Sequence, residues 1–164
     1  MANEDSFLVD ASLGLYLVAD GMGGHAGGAH ASAMCADVVN RVVRRGMARL
    51  VGMPQQTWND AIAEILQASA SEASARIYDQ AQMDRSLHGM GTTLTGILFH
   101  GDRGYIVHVG DSRAYLMRGG TARRGGKSHT RRPRADFCRW HESMRSSSLA
   151  TTFEEDPHYV PSVE

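Results

Sequence analysis

Cysteine is nearly missing from this chain. Only Cys35 and Cys138 are present, too few for a disulfide framework and too far apart for a CxxC metal or redox motif, so both read as reduced thiols. Long hydrophobic runs are missing as well. Nothing approaches the ~20 apolar residues that a bilayer-spanning helix needs. Met1-Ala2-Asn3-Glu4-Asp5 has neither the basic nor the apolar region of a secretory signal, and the expectation is a cytoplasmic protein. Excess charge is small. A formal net charge of -1 excludes a chain that binds polyanions through its whole surface.

What is present suits one soluble globular domain: 164 residues, 42% hydrophobic and 21% charged. Charge nevertheless divides along the chain. Residues 1–120 hold 9 Lys and Arg against 12 Asp and Glu, whereas 121–164 hold 8 against 6. The seam falls after Gly120, where hydrophobic patterning also stops.

Glycine is concentrated in one stretch, Val18-Ala19-Asp20-Gly21-Met22-Gly23-Gly24-His25-Ala26-Gly27-Gly28. Such density lets backbone crowd a ligand or visit φ > 0. Asp20 ends the apolar run Leu13–Ala19, which reads as a strand covered on both faces. Taken alone, the stretch is either a hinge with Asp20 as a turn residue or a loop carrying a site.

On its C-terminal side, residues 30–50 take helical period. Ala31, Cys35, Val38, Val39, Val42, Val43, Met47 and Leu50 share a stripe opposite Asp37, Asn40, Arg41, Arg44 and Arg45. Gly52-Met53-Pro54 breaks that helix. A second runs from a Thr57 N-cap, with Asp60 completing an acidic capping box, to about Gln82. Thr92–His100 and Tyr105–Val109 then form a hairpin, and Ala114–Met117 a third antiparallel strand. The expected class is α+β, an antiparallel sheet layered against a helix pair.

Asn3-Glu4-Asp5-Ser6, Val18-Ala19-Asp20-Gly21-Met22-Gly23-Gly24-His25, Gly89-Met90-Gly91-Thr92-Thr93-Leu94 and Val109-Gly110-Asp111-Ser112-Arg113 together resemble the bacterial branch of the PP2C-type metal-dependent protein phosphatases. The resemblance covers residues 3 to about 120. It implies an α-β-β-α layered sandwich, here as its N-terminal half with the C-terminal half absent, and hydrolysis of phosphoserine and phosphothreonine in proteins. Two Mn²⁺ or Mg²⁺ ions are the implied cofactors, hard cations suited to oxygen ligands that supply activated water and offset phosphoryl charge. By the same resemblance Asp20 bridges the metals, the Gly21 carbonyl ligates one, Glu4 and Asp5 form the N-terminal acidic pair, and Asp111 helps hold a third, weaker ion. His25 is a candidate proton donor to the leaving oxygen, or else merely an exposed histidine. His30, His88, His100 and His108 lack metal-like spacing and read as structural. Implied partners are phosphorylated proteins and a cognate serine/threonine kinase, with no membrane.

The chain departs from the family in two respects. Its phosphate-binding arginine, expected just before Asn3-Glu4-Asp5, is absent, and Asp136 and Asp156 do not stand where its two later metal-binding aspartates should. Residues 121–164 read instead as a basic, disordered or frameshifted tail, with six basic residues between Thr121 and Arg134. A merely solvated tail outranks a nucleic-acid tether. Competing motifs fail: the glycines lack the GxGxxG register, and Gly125-Gly126-Lys127-Ser128 has Thr121 where a phosphate loop needs glycine. The alternative function is an inactive phosphatase fragment acting as a binding module.

Overall fold

Alternate burial along Asp5–Asp10 (β1) and Leu15–Met22 (β2) sets the first layer. In the computed structural model, which describes residues 3–23, 25–101, 103–118, 121–125 and 154–155, these strands pair antiparallel with Asp5 opposite Asp20 and Asp10 opposite Leu15. Their turn is fixed by Asp10, whose Oδ1 accepts hydrogen bonds from Leu13 N at 3.1 Å and Ser12 Oγ at 2.7 Å. Gly14 follows at φ 74°, and a Cβ there would fall 2.5 Å from the Phe99 carbonyl oxygen.

Helices α1 (His25–Leu50) and α2 (Trp58–Met83) follow, then β3 (Gly91–Thr92), β4 (Leu94–His100) and β5 (Arg103–Val109). The sheet runs β1-β2-β4-β5, antiparallel throughout, with β3 pairing the far end of β2. The expected hairpin is present, with Leu94 opposite Val109 and His100 opposite Arg103. Leu15, Leu17, Ala19, Leu94, Leu98 and Val107 meet Ala31, Cys35, Val39, Val43, Ile62 and Leu66 in one core. Gly46 lets the helices approach closely, since a Cβ there would lie 2.7 Å from Ile65. Cys35 sits in this core as a free thiol, pushed up to about 11 by burial. No helix of the described residues is long and apolar enough to cross a membrane.

Four expectations need correction. Helix α1 begins at His25, not near residue 30. Gly27 and Gly28 have poor helix propensity, but both are buried and pack their bare Cα atoms against Met90 and Glu4, contacts that tertiary structure rewards. Thr57 makes no side-chain cap: it is already in αR conformation at the end of a 3₁₀ turn, and its hydroxyl donates to Pro54 O at 2.8 Å. Strand β6 (Ala114–Arg118) leaves the meander and pairs with β7 (Thr121–Gly125) in a second sheet, which also takes β8 (Glu154–Glu155). The turn at Gly110, φ 107°, carries the chain off the edge of β5. Part of the supposed tail is therefore strand, with Arg123 opposite Glu155 and Arg124 opposite Glu154. Asp136, Cys138 and Asp156 lie outside the described residues.

The fourth correction concerns β2. Helices cover one face of its sheet, but on the other Phe7 is 76% exposed and Val18 52%. Ala114 and Tyr115 of β6 line a groove on that apolar face with Val9 and Tyr16. Leu98, fully buried opposite Leu15, supports the covered face. Leu98→Ala is expected to lower unfolding free energy by about 2–5 kcal/mol in urea titration.

Candidate functional site

The acidic residues gather at the end of the sheet where β1 begins and β2 ends. Glu4, just ahead of β1, is held by its backbone: its carbonyl accepts a 2.6 Å hydrogen bond from Ser32 Oγ on α1. Ser32 is fully buried and also bonds Ser6 Oγ at 2.9 Å, so one hydroxyl ties the first strand to the first turns of the helix. Gly28 leaves open the space that the Glu4 side chain fills, and Gly21 the space taken by the Glu4 and Gly28 backbones. A Cβ on Gly28 would fall 2.0 Å from Glu4 Oε2, and one on Gly21 would fall 2.2 Å from Gly28 O and 2.4 Å from Glu4 O. Glycine therefore follows Asp20 because two carbonyl oxygens already occupy the space a side chain would need.

Asp20 is exposed on the open face and faces Asp5 across the strand pair. Its main chain is fixed by the segment joining β3 to β4: Asp20 N donates to Thr93 Oγ1 at 3.1 Å, while Asp20 O accepts from Thr93 N at 2.9 Å and from Thr92 Oγ1 at 3.0 Å. Asp111 arrives from β5 through Gly110. These acids act on each other. The Asp20 carboxyl is raised above the ordinary aspartate value, first by partial desolvation despite its exposure, then by the charge and shared hydrogen bond of Asp5, then by Asp111 and Glu4.

Glu4, Asp5, Asp20 and Asp111, all read from the sequence as site residues, thus come from three separate segments to one end of the sheet, with Gly21 beside them. His25 opens α1, but its side chain lies outside the described residues. The histidines read as structural include His108, whose Nδ1 lies 3.0 Å from Thr95 Oγ1, and His100, whose ring packs tilted against Trp58 with centroids 5.0 Å apart. Ser32 escaped sequence reading, while Gly28 and Thr93 stood in the quoted motifs with no role of their own. Their signals were a serine inside an apolar stripe, the second threonine of Gly91-Thr92-Thr93, and a glycine inside a helix. No three His, Cys, Asp or Glu side chains among the described residues sit closely enough to hold a metal ion by themselves. The donor set is nonetheless all oxygen and mutually repelling, which suits a hard divalent cation.

A family model for protein phosphatase 2C matches residues 1–149. The serine/threonine protein phosphatase PstP of Mycobacterium tuberculosis is 42% identical over 118 residues, 72% of this chain and 20% of that protein. The serine/threonine phosphatase stp of Listeria welshimeri is 33% identical over 116 residues, 71% of this chain and 43% of that protein. Among solved structures, PppA, described as a key regulatory component of T6SS in Pseudomonas aeruginosa, superposes with a TM-score of 0.63 at 30% identity, covering 78% of this chain and 50% of that one. The M. tuberculosis PstP structure gives 0.51 at 38% identity, covering 77% and 48%. The chain thus spans less than half the length of these curated relatives.

Gly28→Ala is expected to displace Glu4 and destabilise by about 1–3 kcal/mol in urea unfolding. Asp20→Asn is expected to do the opposite in metal-free, low-salt buffer. A carboxyl whose folded pKa is raised penalises folding once ionised, so its cost is absent below the unfolded value and grows as pH rises through the folded one. The variant should melt higher than the parent at pH 7, with the gap closing toward pH 4.

Proposed function

Because this chain belongs to the protein phosphatase 2C family, we propose that its acidic cluster is the N-terminal share of a site hydrolysing phosphoserine and phosphothreonine in proteins. The supporting observation is the meeting of Glu4, Asp5, Asp20 and Asp111 at one end of the sheet, where desolvation first, and then the charges of Asp5, Asp111 and Glu4, raise the Asp20 carboxyl. Such stored repulsion favours binding positive charge. In this reading Asp20, Glu4, Asp5 and the Gly21 carbonyl hold two Mn²⁺ or Mg²⁺ ions, and Asp111 serves a third. Bound cations of this kind lower the pKa of water and offset charge building on the phosphoryl group.

The protein's own contribution is placement. Ser32 and the Gly21–Gly28 contact hold the Glu4 segment against the end of β2, and the β1–β2 register sets Asp5 opposite Asp20. His25, at the start of α1, is the proposed proton source for the leaving oxygen. Substrates would be phosphoproteins made by a serine/threonine kinase.

A second reading is favoured by one observation: no three acidic, histidine or cysteine side chains among the described residues gather closely enough to hold a metal alone. A chain with only part of a ligand set would bind cations weakly and act, if at all, as a binding module. Manganese titration against a phosphothreonine peptide separates the two. The enzymatic reading expects Mn²⁺-stimulated phosphate release, lost with EDTA and reduced at least about 100-fold by Asp20→Asn; the second expects no turnover at any manganese concentration.

A further inference from the structure

Thr93 occupies a position that no strand pairing demands. It stands between β3 and β4, is 3% exposed, and its Oγ1 accepts the Asp20 amide at 3.1 Å while lying 2.7 Å from Ser112 Oγ. A hydroxyl can serve both contacts, accepting from the amide on a lone pair and sharing its proton with the serine. Its methyl side is engaged too. Gly110, at φ 107°, packs so closely that a Cβ there would fall 2.8 Å from Thr93 Cγ2. One side chain thus touches the backbone of Asp20 and both neighbours of Asp111, segments far apart in sequence.

We propose that Thr93 is a positioning residue that clasps the Asp20 strand to the Asp111 turn and so sets the spacing of the two carboxylates for a divalent cation. The cation part rests on the proposed phosphatase site; the clasp does not. The Asp20 carbonyl is also held by Thr92 and by the Thr93 amide, and neither of those bonds reaches residue 112. Removing the hydroxyl while keeping the shape should loosen both arms. Removing the Ser112 hydroxyl should loosen one.

The test uses the full 164-residue chain as parent, Thr93→Val, Thr93→Ser and Ser112→Ala. In metal-free buffer, amide hydrogen exchange at Asp20 should be at least about tenfold faster in Thr93→Val and near the parent's rate in the other two. The Asp111 amide resonance should move in Thr93→Val and Ser112→Ala but not in Thr93→Ser. Calorimetric Mn²⁺ titration should then show affinity falling by about 10–100-fold in Thr93→Val, with rescue by serine. Unchanged Asp20 exchange and unchanged Asp111 resonance in Thr93→Val would overturn the clasp. Manganese affinity equal to the parent's, with the amide protection lost, would overturn the positioning role. Should the parent take up no manganese, the cation reading falls and the clasp is decided by exchange alone. Should Thr93→Val fail to fold, a stationary Asp111 resonance in Ser112→Ala refutes the link, and a shifted one supports it.

Discussion

Two carboxylates face each other across neighbouring strands, and that repulsion is the constraint around which this end of the molecule is built. Asp5 and Asp20 are register partners, a placement that opposes strand pairing, because like charges directly opposite are destabilising. The pairing persists because the same strands bury Leu15, Leu17 and Ala19 against the helices along the rest of their length. Hydrophobic burial at one end of a strand pair thus holds unfavourable charge at the other. Asp111 joins from a third segment, and the sum is felt by Asp20.

Holding such a cluster needs backbone placed to within a few tenths of an ångström, and the chain achieves this with the smallest side chains and with buried hydroxyls. Gly21 and Gly28 let two main-chain segments and the Glu4 side chain share space that no Cβ could enter. Ser32 and Thr93, both buried, fasten the Glu4 and Asp20 backbones from opposite sides, one from α1 and one from the sheet. Neither carries charge or touches the open face. Their role is to keep carboxylate-bearing backbone from relaxing away from its neighbours, which is how residues outside a site come to govern it.

Much of this was legible before any coordinates. The apolar stripes of α1 and α2 come from helical period, and the β4–β5 hairpin from β-branched runs flanking a glycine turn, because burial on one face leaves a strong periodic trace. Glu4, Asp5, Asp20, Gly21 and Asp111 were recognisable as motif residues, and the fold brings the four acids together. Other features left no local trace. Two glycines forbid a helix by propensity, yet Gly27 and Gly28 open α1 because Met90 and Glu4 fill the space beside them. Thr57 has cap chemistry but spends its hydroxyl on Pro54. The near-continuous apolar run of β2 promised cover on both faces, whereas the described residues supply it mainly on one. Ser32 and Thr93 gained their roles only from partners 28 and 73 residues away.

The departure of β6 from the first sheet has its own mechanical meaning. Residues 110–113 join β5 to β6 and so to the second sheet, and Asp111 rides on that connection. Because Thr93 touches the residues on either side of Asp111, the chain is gripped by the first sheet at the point where it leaves for the second.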